Sequence, residues 1–516
     1  MKVALLLGTA ALSLGAANAP LPSVDLLIRG GTVYTGTMAP FVGDVAIRGD
    51  RIVSVGRRVN VRATRVIEAK GMIVAPGFID PHTHMGSDLA SKDRGERLVP
   101  AFLMQGVTTA FIGNDGGGSP DMARVLGSGQ SVGINYAAYV GFGAIREKVI
   151  GEADRAPTVT EMAQMKGLVA NAMCHGALGL STGLFYAPQS FAKTEEVIEL
   201  AREAGKRGGT YDSHIRDESS YTVGLAAAID EAIRIGREGQ LPAHISHIKA
   251  LGVDVHGQAG AIIAKVEAAR RTGQKVTADQ YPWSASGTSL VAALIPLWAQ
   301  DGGREKLLQR LGPYARAEDL RAGIIENLRK RGGAEKLLIV EGLYANRTLA
   351  AVAKDRGVDA VTAAMEVIKV ADPGVVSFNQ SEADIKAFMA RPWVMTGSDA
   401  SGGHPRVYGS FARKYAKYVK AEHVLSLRQF IYRSSTLTAD TFGLKGRGRL
   451  TEGAFADVVV FDPKTYAAQA TYEQAKLPAS GVRTVVVNGV VAVSNGEMTG
   501  KAAGRALPHK PTGSCR

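Results

Sequence analysis

The chain has 516 residues, 46% hydrophobic and 21% charged, a globular composition that argues against disorder. Its length accommodates about three ordinary domains, or one large barrel with satellites. A formal net charge of +13 invites a nucleic-acid reading. However, the densest basic stretch, Arg329-Lys330-Arg331, is short and reads as a solvated helix end, and no basic run is interleaved with aromatics, so the charge better suits attraction of small carboxylate-bearing molecules than of nucleic acid.

Residues 1–19 read as a signal peptide. Lys2 supplies a minimal charged start, Val3 to Ala16 an apolar run, and Ala17-Asn18-Ala19 a small-x-small cleavage site. The apolar run falls short of the ~20 residues of a membrane span, and no other segment is long and apolar enough to be one. The expectation is a periplasmic or secreted protein. From 22 to 77, segments such as VDLLIRGGTVYTG and RVIEAKGMIVAPG alternate apolar and polar residues between Gly turns. The same texture returns from 448 to 500, with hairpin signals at Asn488-Gly489 and Asn495-Gly496. The two ends are expected to build one small β-sandwich.

Between them, from 78 to 447, strand-like runs alternate with helix-like ones, the pattern of a parallel sheet approaching eight βα units. The fold class is therefore α/β, a TIM-like barrel flanked by the sandwich, with a helical insertion near 290–335 and a tail over 501–516. The two cysteines, Cys174 and Cys515, are too few for a disulfide framework, and nothing in the sequence joins them.

Five of the ten histidines sit at the ends of expected strands. His82 and His84 are two apart in GFIDPHTHMG, so on an extended segment their imidazoles face the same way and can converge on one ion. Asp115, in FIGNDGGGS, ends the second strand; it suits a ligand followed by an open glycine run, or alone an Asx-turn. His214 ends a middle strand, His244 and His247 lie in AHISHIK, and Asp399 closes a late strand in VMTGSDASGG. This N/O-rich set suits zinc or a related divalent ion. Of the remaining histidines, His404 is a candidate pocket residue, His256 and His509 read as solvated, and His423 sits in a polar helix start. Cys174 and His175 read as strand neighbours pointing to opposite faces.

These motifs resemble the amidohydrolase superfamily and, more narrowly, the D-aminoacylase (N-acyl-D-amino-acid deacylase) family, over nearly the whole mature chain. GFIDPHTHMG, GALGLSTGLFYAP, SHIRDES, ISHIK, DQYPW, TGSDA and HPRVYGSF stand in the family's order. The resemblance implies a (β/α)8 barrel with His82, His84, His214 and His247 as metal ligands and His244 packed or supporting. It implies Asp399 as the catalytic aspartate, which can also touch metal. Positions matching Tyr186, Lys249, Tyr281 and Arg406 hold the substrate's free carboxylate in that family; their ordinary alternative is rim charge or core tyrosine. The implied reaction is hydrolysis of an N-acyl amino acid, D-configured, by a metal-activated water, with Asp399 as general base and then acid. The implied cofactor is zinc, one or two ions, other divalent metals being compatible. Rival readings are a cyclic-amide or dipeptide hydrolase of the same superfamily, and an exported binding protein without catalysis.

The chain departs from the family at Asp115, where the D-aminoacylases carry a cysteine. A carboxylate has two oxygens, so Asp115 is expected to bridge two ions, with His82 and His84 on one side and His214 and His247 on the other. GALGLSTG contains no lysine to serve as the carboxylated bridge of the related hydantoinases.

Overall fold

The structure, a computed structural model, describes residues 21–515. Eight short parallel strands form the central barrel: Phe78–Asp80, Val107–Ile112, Asn135–Ala138 continued by Val140–Gly141, Gly179–Gly183, Thr210–His214, Ala243–Ile245, Val276–Gln280 and Val394–Thr396. All but the seventh consist wholly of buried residues, Thr277 there being half-buried. This two-sided burial is why they read as apolar runs instead of alternating strands. The ring closes between the last strand and the first. Thr83 bridges Ala400, and the His84 N–H donates to the Ala400 carbonyl at 2.9 Å. The Ser398 N–H donates to the Asp80 carboxylate at 3.0 Å.

Helices return each strand to the next along the outside. Val159–Cys174 starts at a reciprocal cap between Thr158 and Glu161. Leu225–Glu238 buries Leu225, Ala228, Ile229, Ala232, Ile233, Ile235 and Gly236 at helical spacing against the barrel. The helical stretch near 290–335 proves part of a larger insertion, Ser286 to Ser377. It carries its own four-stranded sheet and its own apolar core around Leu294, Leu320, Ile324, Leu337 and Val367. Its strands of two to four residues are too short to show a period of two.

Both chain ends enter one nine-stranded sheet. The strand Val458–Phe461, from the C-terminal part, pairs antiparallel with Ile73–Pro76, which pairs in turn with Ser23–Val33. Leu26, Ile28, Val45, Ile47, Val74, Val458, Val460 and Val486 share one core there. A buried polar knot ties this sheet to the barrel. Asp457 pairs with Arg447, accepts from the Asn488 N–H at 2.8 Å, and lies 3.4 Å from the Asn135 amide of the third barrel strand.

Three expectations are corrected here. Cys174 and Cys515 form a disulfide, with Cα atoms 5.5 Å apart and a sequence separation of 341. Cys174 ends a helix instead of lying on a strand. The tail that carries Cys515 is laid across the barrel floor. N–H groups of Leu507, His509 and Thr512 donate to carbonyls of Tyr136, Gly176 and Arg207, at or just before the starts of the third, fourth and fifth strands. His509 is accordingly half-buried and bonded to Arg207 through its ring, not merely solvated. The expected signal peptide lies outside the described residues.

Candidate metal centre

The C-terminal ends of the barrel strands carry the site. Asp115 stands among four imidazoles. Its Oδ1 lies 3.4 Å from His82 Nε2 and 3.6 Å from His247 Nε2; its Oδ2 lies 3.5 Å from His84 Nε2 and 3.6 Å from His214 Nδ1. Asp399 Oδ1 lies 3.2 Å from His84 Nε2 and 3.7 Å from His82 Nε2. Two candidate donor sets follow, His82–His84–Asp115–Asp399 and Asp115–His214–His247, with Asp115 common to both.

These groups fit a cation better than they fit one another. Both ring nitrogens of His82 and Asp115 Oδ1 are buried without a hydrogen-bond partner. A buried polar atom left so costs about 1–3 kcal/mol, and an ion between them would satisfy it. Imidazole and carboxylate donors in tetrahedral or slightly larger number suit zinc. The charge balance agrees. Burial alone would lower the His84 pKa, but Asp115 and Asp399 raise it to about 9. Burial and Lys249 likewise oppose a charge on His247, yet Asp399, Glu218 and Asp115 raise it to about 10. Burial works against ionised Asp115, and His82, His214 and His247 outweigh it, holding the carboxyl well below its usual range. The nest is thus rich in negative charge that positive charge must balance.

Three residues in the nest adopt left-handed backbone conformations uncommon for side chains other than glycine: Asp115 at φ +55°, His247 at +35° and Asp399 at +51°. Such strain costs on the order of 1–3 kcal/mol per residue and persists where surroundings enforce it. Here the enforcing bonds are visible. Gln189 donates its amide to the Asp115 carbonyl at 2.9 Å, the His247 N–H donates to Asp279 at 3.0 Å, and the Asp399 N–H donates to the His82 carbonyl at 3.0 Å. Past Asp115 the chain must pass close to the third strand. A Cβ on Gly118 would sit 2.1 Å from the Tyr139 carbonyl oxygen.

His244 does not join the nest: its Nδ1 meets Thr277 at 2.9 Å and its Nε2 meets Asp279 at 3.1 Å. It braces the carboxylate that in turn holds the His247 backbone. Glu218 and Asp279 were not singled out from the sequence. Glu218 reaches His247 Nδ1 at 3.1 Å and pairs with Lys249; Asp279 lies 3.9 Å from His82 Nδ1. The only sequence signal for Glu218 is its position four residues beyond His214, and for Asp279 its strand-end place in DQYP.

A cavity of about 480 Å³ opens above the nest, and all four carboxylate-binding candidates line it. Arg406 is buried and pairs with Asp399 at 2.6 Å, with a second bond to Ser401. Burial opposes ionised Asp399, but Arg406, followed by the histidines, keeps the carboxyl far below its usual range. Lys249 sits 5.6 Å from the Tyr281 ring, and the Tyr281 hydroxyl accepts from Gln380 at 2.9 Å. The Tyr186 ring packs 4.8 Å from His214. His404 also lines the cavity, its Nε2 3.1 Å from the Ala285 carbonyl; burial and Arg406 push its pKa well down. On the insertion side the expected solvated helix end is corrected. Arg329 is solvent-facing, but Lys330 donates to the Ser220 carbonyl, and Arg331 is buried and reaches the cavity wall.

The sequence matches the amidohydrolase family over residues 133–493. It is 34% identical to a D-aminoacylase of Alcaligenes xylosoxydans xylosoxydans, covering 94% of this chain and 97% of that one. The fold superposes on a Bordetella bronchiseptica N-acyl-D-glutamate deacylase complexed with zinc and a phosphonate inhibitor. That likeness has a TM-score of 0.80 and 30% identity, and covers 94% of this chain and all of the other. A D-aminoacylase structure described for its binuclear metal centre gives 0.79, 30% and the same coverage.

Proposed function

The chain belongs to the amidohydrolase family and is D-aminoacylase-like along its whole barrel, and from that premise we propose that it hydrolyses the amide bond of N-acyl-D-amino acids. The observation that carries the reading is the shared carboxylate. Asp115 faces both histidine pairs, while Asp399 stands beside them, paired with a buried arginine on the cavity side. His82, His84, Asp115 and Asp399 would hold one zinc ion, and Asp115, His214 and His247 a second. Each Asp115 oxygen faces one histidine of each pair. A divalent ion so held supplies Lewis acidity, polarising an amide carbonyl and acidifying water.

The protein's own groups do the rest. Asp399 takes a proton from the attacking water and returns it to the leaving nitrogen. Its position in the strained turn, clamped to the His82 carbonyl, aims the carboxylate across the nest. Arg406 offers a guanidinium to the substrate carboxylate in the planar, two-toothed manner that lysine lacks. Lys249, partly neutralised by Glu218, and the Tyr281 ring complete that side of the cavity, while the Tyr186 ring, after the fourth strand, lines it from beyond His214. A protein that only bound its ligand would have no use for a proton carrier at this position.

The disulfide supports an oxidising destination, since such bonds persist outside the reducing cytosol. We accordingly place the mature protein in the periplasm or outside the cell. The test of the activity is a side-by-side assay of N-acyl amino acids of both hands, cyclic imides and dipeptides with the zinc-loaded protein. Release of free D-amino acid is expected; preference for a cyclic imide or a dipeptide overturns the reading.

A further inference from the structure

A second cavity, of about 410 Å³, lies beside the one above the metal centre, and the two share Gly117. Its walls come from the helices Gly86–Ala90 and Met122–Leu126 and from the outer faces of the second and third barrel strands. Leu89, Ile112, Met122, Val125, Tyr136 and Ala138 supply an apolar lining. Of the polar groups that border it, Arg124, Ser128 and Gln130 are solvent-exposed, Ser119 is half-buried, and the Tyr139 hydroxyl is buried. Between the cavities runs Gly116-Gly117-Gly118, so no side chain stands on the ridge that divides them. A Cβ on Gly117 would meet nothing nearer than the Asn114 carbonyl oxygen at 3.6 Å, and one on Gly86 would meet nothing within 4 Å.

The placement relative to the reacting bond matters. Lys249 and Tyr281 follow the sixth and seventh barrel strands, which stand across the ring from the second and third. With the substrate carboxylate on that side and the carbonyl at Asp115, the acyl group is left to point over the glycine ridge. A long unbranched tail would then enter an apolar cleft instead of solvent.

We propose that this second cavity is the binding site for the hydrocarbon tail of the acyl group, and that medium- and long-chain N-acyl amino acids are the preferred substrate class. The proposal rests on the deacylase reading above. It requires no new chemistry at the metal centre, only burial of methylenes along the ridge and cleft.

The test is a series on one D-amino acid carrying acetyl, butyryl, octanoyl and decanoyl groups, assayed with the zinc-loaded protein and with Gly86→Leu and Ala90→Phe. Both substitutions add side chains to the second cavity at solvent-accessible positions. A buried methylene is worth about fourfold, equivalent to ~0.8 kcal/mol. With partial burial, kcat/KM should rise about a hundredfold from acetyl to decanoyl. In the two variants the acetyl substrate should be hydrolysed within about twofold of the parent, which also reports that they fold, while the gain with length collapses. Calorimetry with decanoate and acetate gives a second readout that needs no turnover. Decanoate should bind far more tightly than acetate, and lose that advantage in both variants. A flat chain-length series, a gain that survives both substitutions, or equal binding of the two acids overturns the proposal. Failure of every substrate to react would instead count against the deacylase reading, and the calorimetry would still decide this one.

Discussion

Four imidazole nitrogens between 3.4 and 3.6 Å from one carboxylate define what Asp115 can do. Removing it takes away the group common to both donor sets. Asp115→Ala should therefore lower zinc from near two per chain to one or none, as read by elemental analysis after dialysis; a parent stoichiometry of one that the substitution leaves unchanged speaks against bridging. Asp399→Asn keeps shape and an oxygen donor but cannot carry a proton, so kcat should fall by ~10²–10⁴ while zinc content holds. The histidines also make metal uptake depend on pH. With the pKa of His84 raised to about 9 and that of His247 to about 10, the metal-free site holds protons at neutral pH, and an incoming ion must expel them. Zinc affinity should rise as pH goes from 7 to 9. Calorimetry at pH 7 in buffers of different protonation enthalpy should show at least one proton released per chain. The four histidines of the nest could be picked out in the sequence because each lies at or just past the end of a strand and they come in a family's order. Glu218, Asp279 and Gln189 were not. Each acts by reaching a neighbour from another strand or loop, and sequence spacing does not encode that distance.

At the scale of elements, the alternation of strands and helices was legible because the barrel strands are short runs between turn signals and the helices carry their own period and caps. The tail was not. Residues 501–515 contain no strand or helix of their own, and their order comes from backbone bonds to three strand starts and from one disulfide. Nothing local in a Pro- and Gly-containing segment announces such docking. Cys515→Ser tests what the bond contributes. A disulfide closing a long loop typically stabilises by about 2–4 kcal/mol, so the variant should melt at lower temperature. The segment from Leu507 onward should become open to carboxypeptidase, with metal content and turnover at low temperature unchanged, since the tail lies on the face opposite the nest.

Across the whole molecule, the meeting of the two chain ends was legible from their common alternating texture, whereas the knot that locks the resulting sheet to the barrel was not. Asp457, Arg447, Asn488 and Asn135 come from segments up to 353 residues apart. Breaking a buried ion pair from one side strands the other charge and costs about 3–5 kcal/mol. Asp457→Ala should accordingly lower the melting temperature more than Cys515→Ser does, and should loosen the sheet and the third barrel strand together, which hydrogen exchange on both would reveal. That same closure sets an order of events in time. The strand Ser23–Val33 emerges among the first parts of the chain, but its sheet is completed only by Val458–Phe461 and the strands after it. Cys174 likewise waits for Cys515, 341 positions later. At ~5–20 residues per second, the early strands spend tens of seconds with apolar edges unpaired. Successful maturation therefore depends on keeping an unfinished chain from associating with others until the strands from Val458 onward have been made.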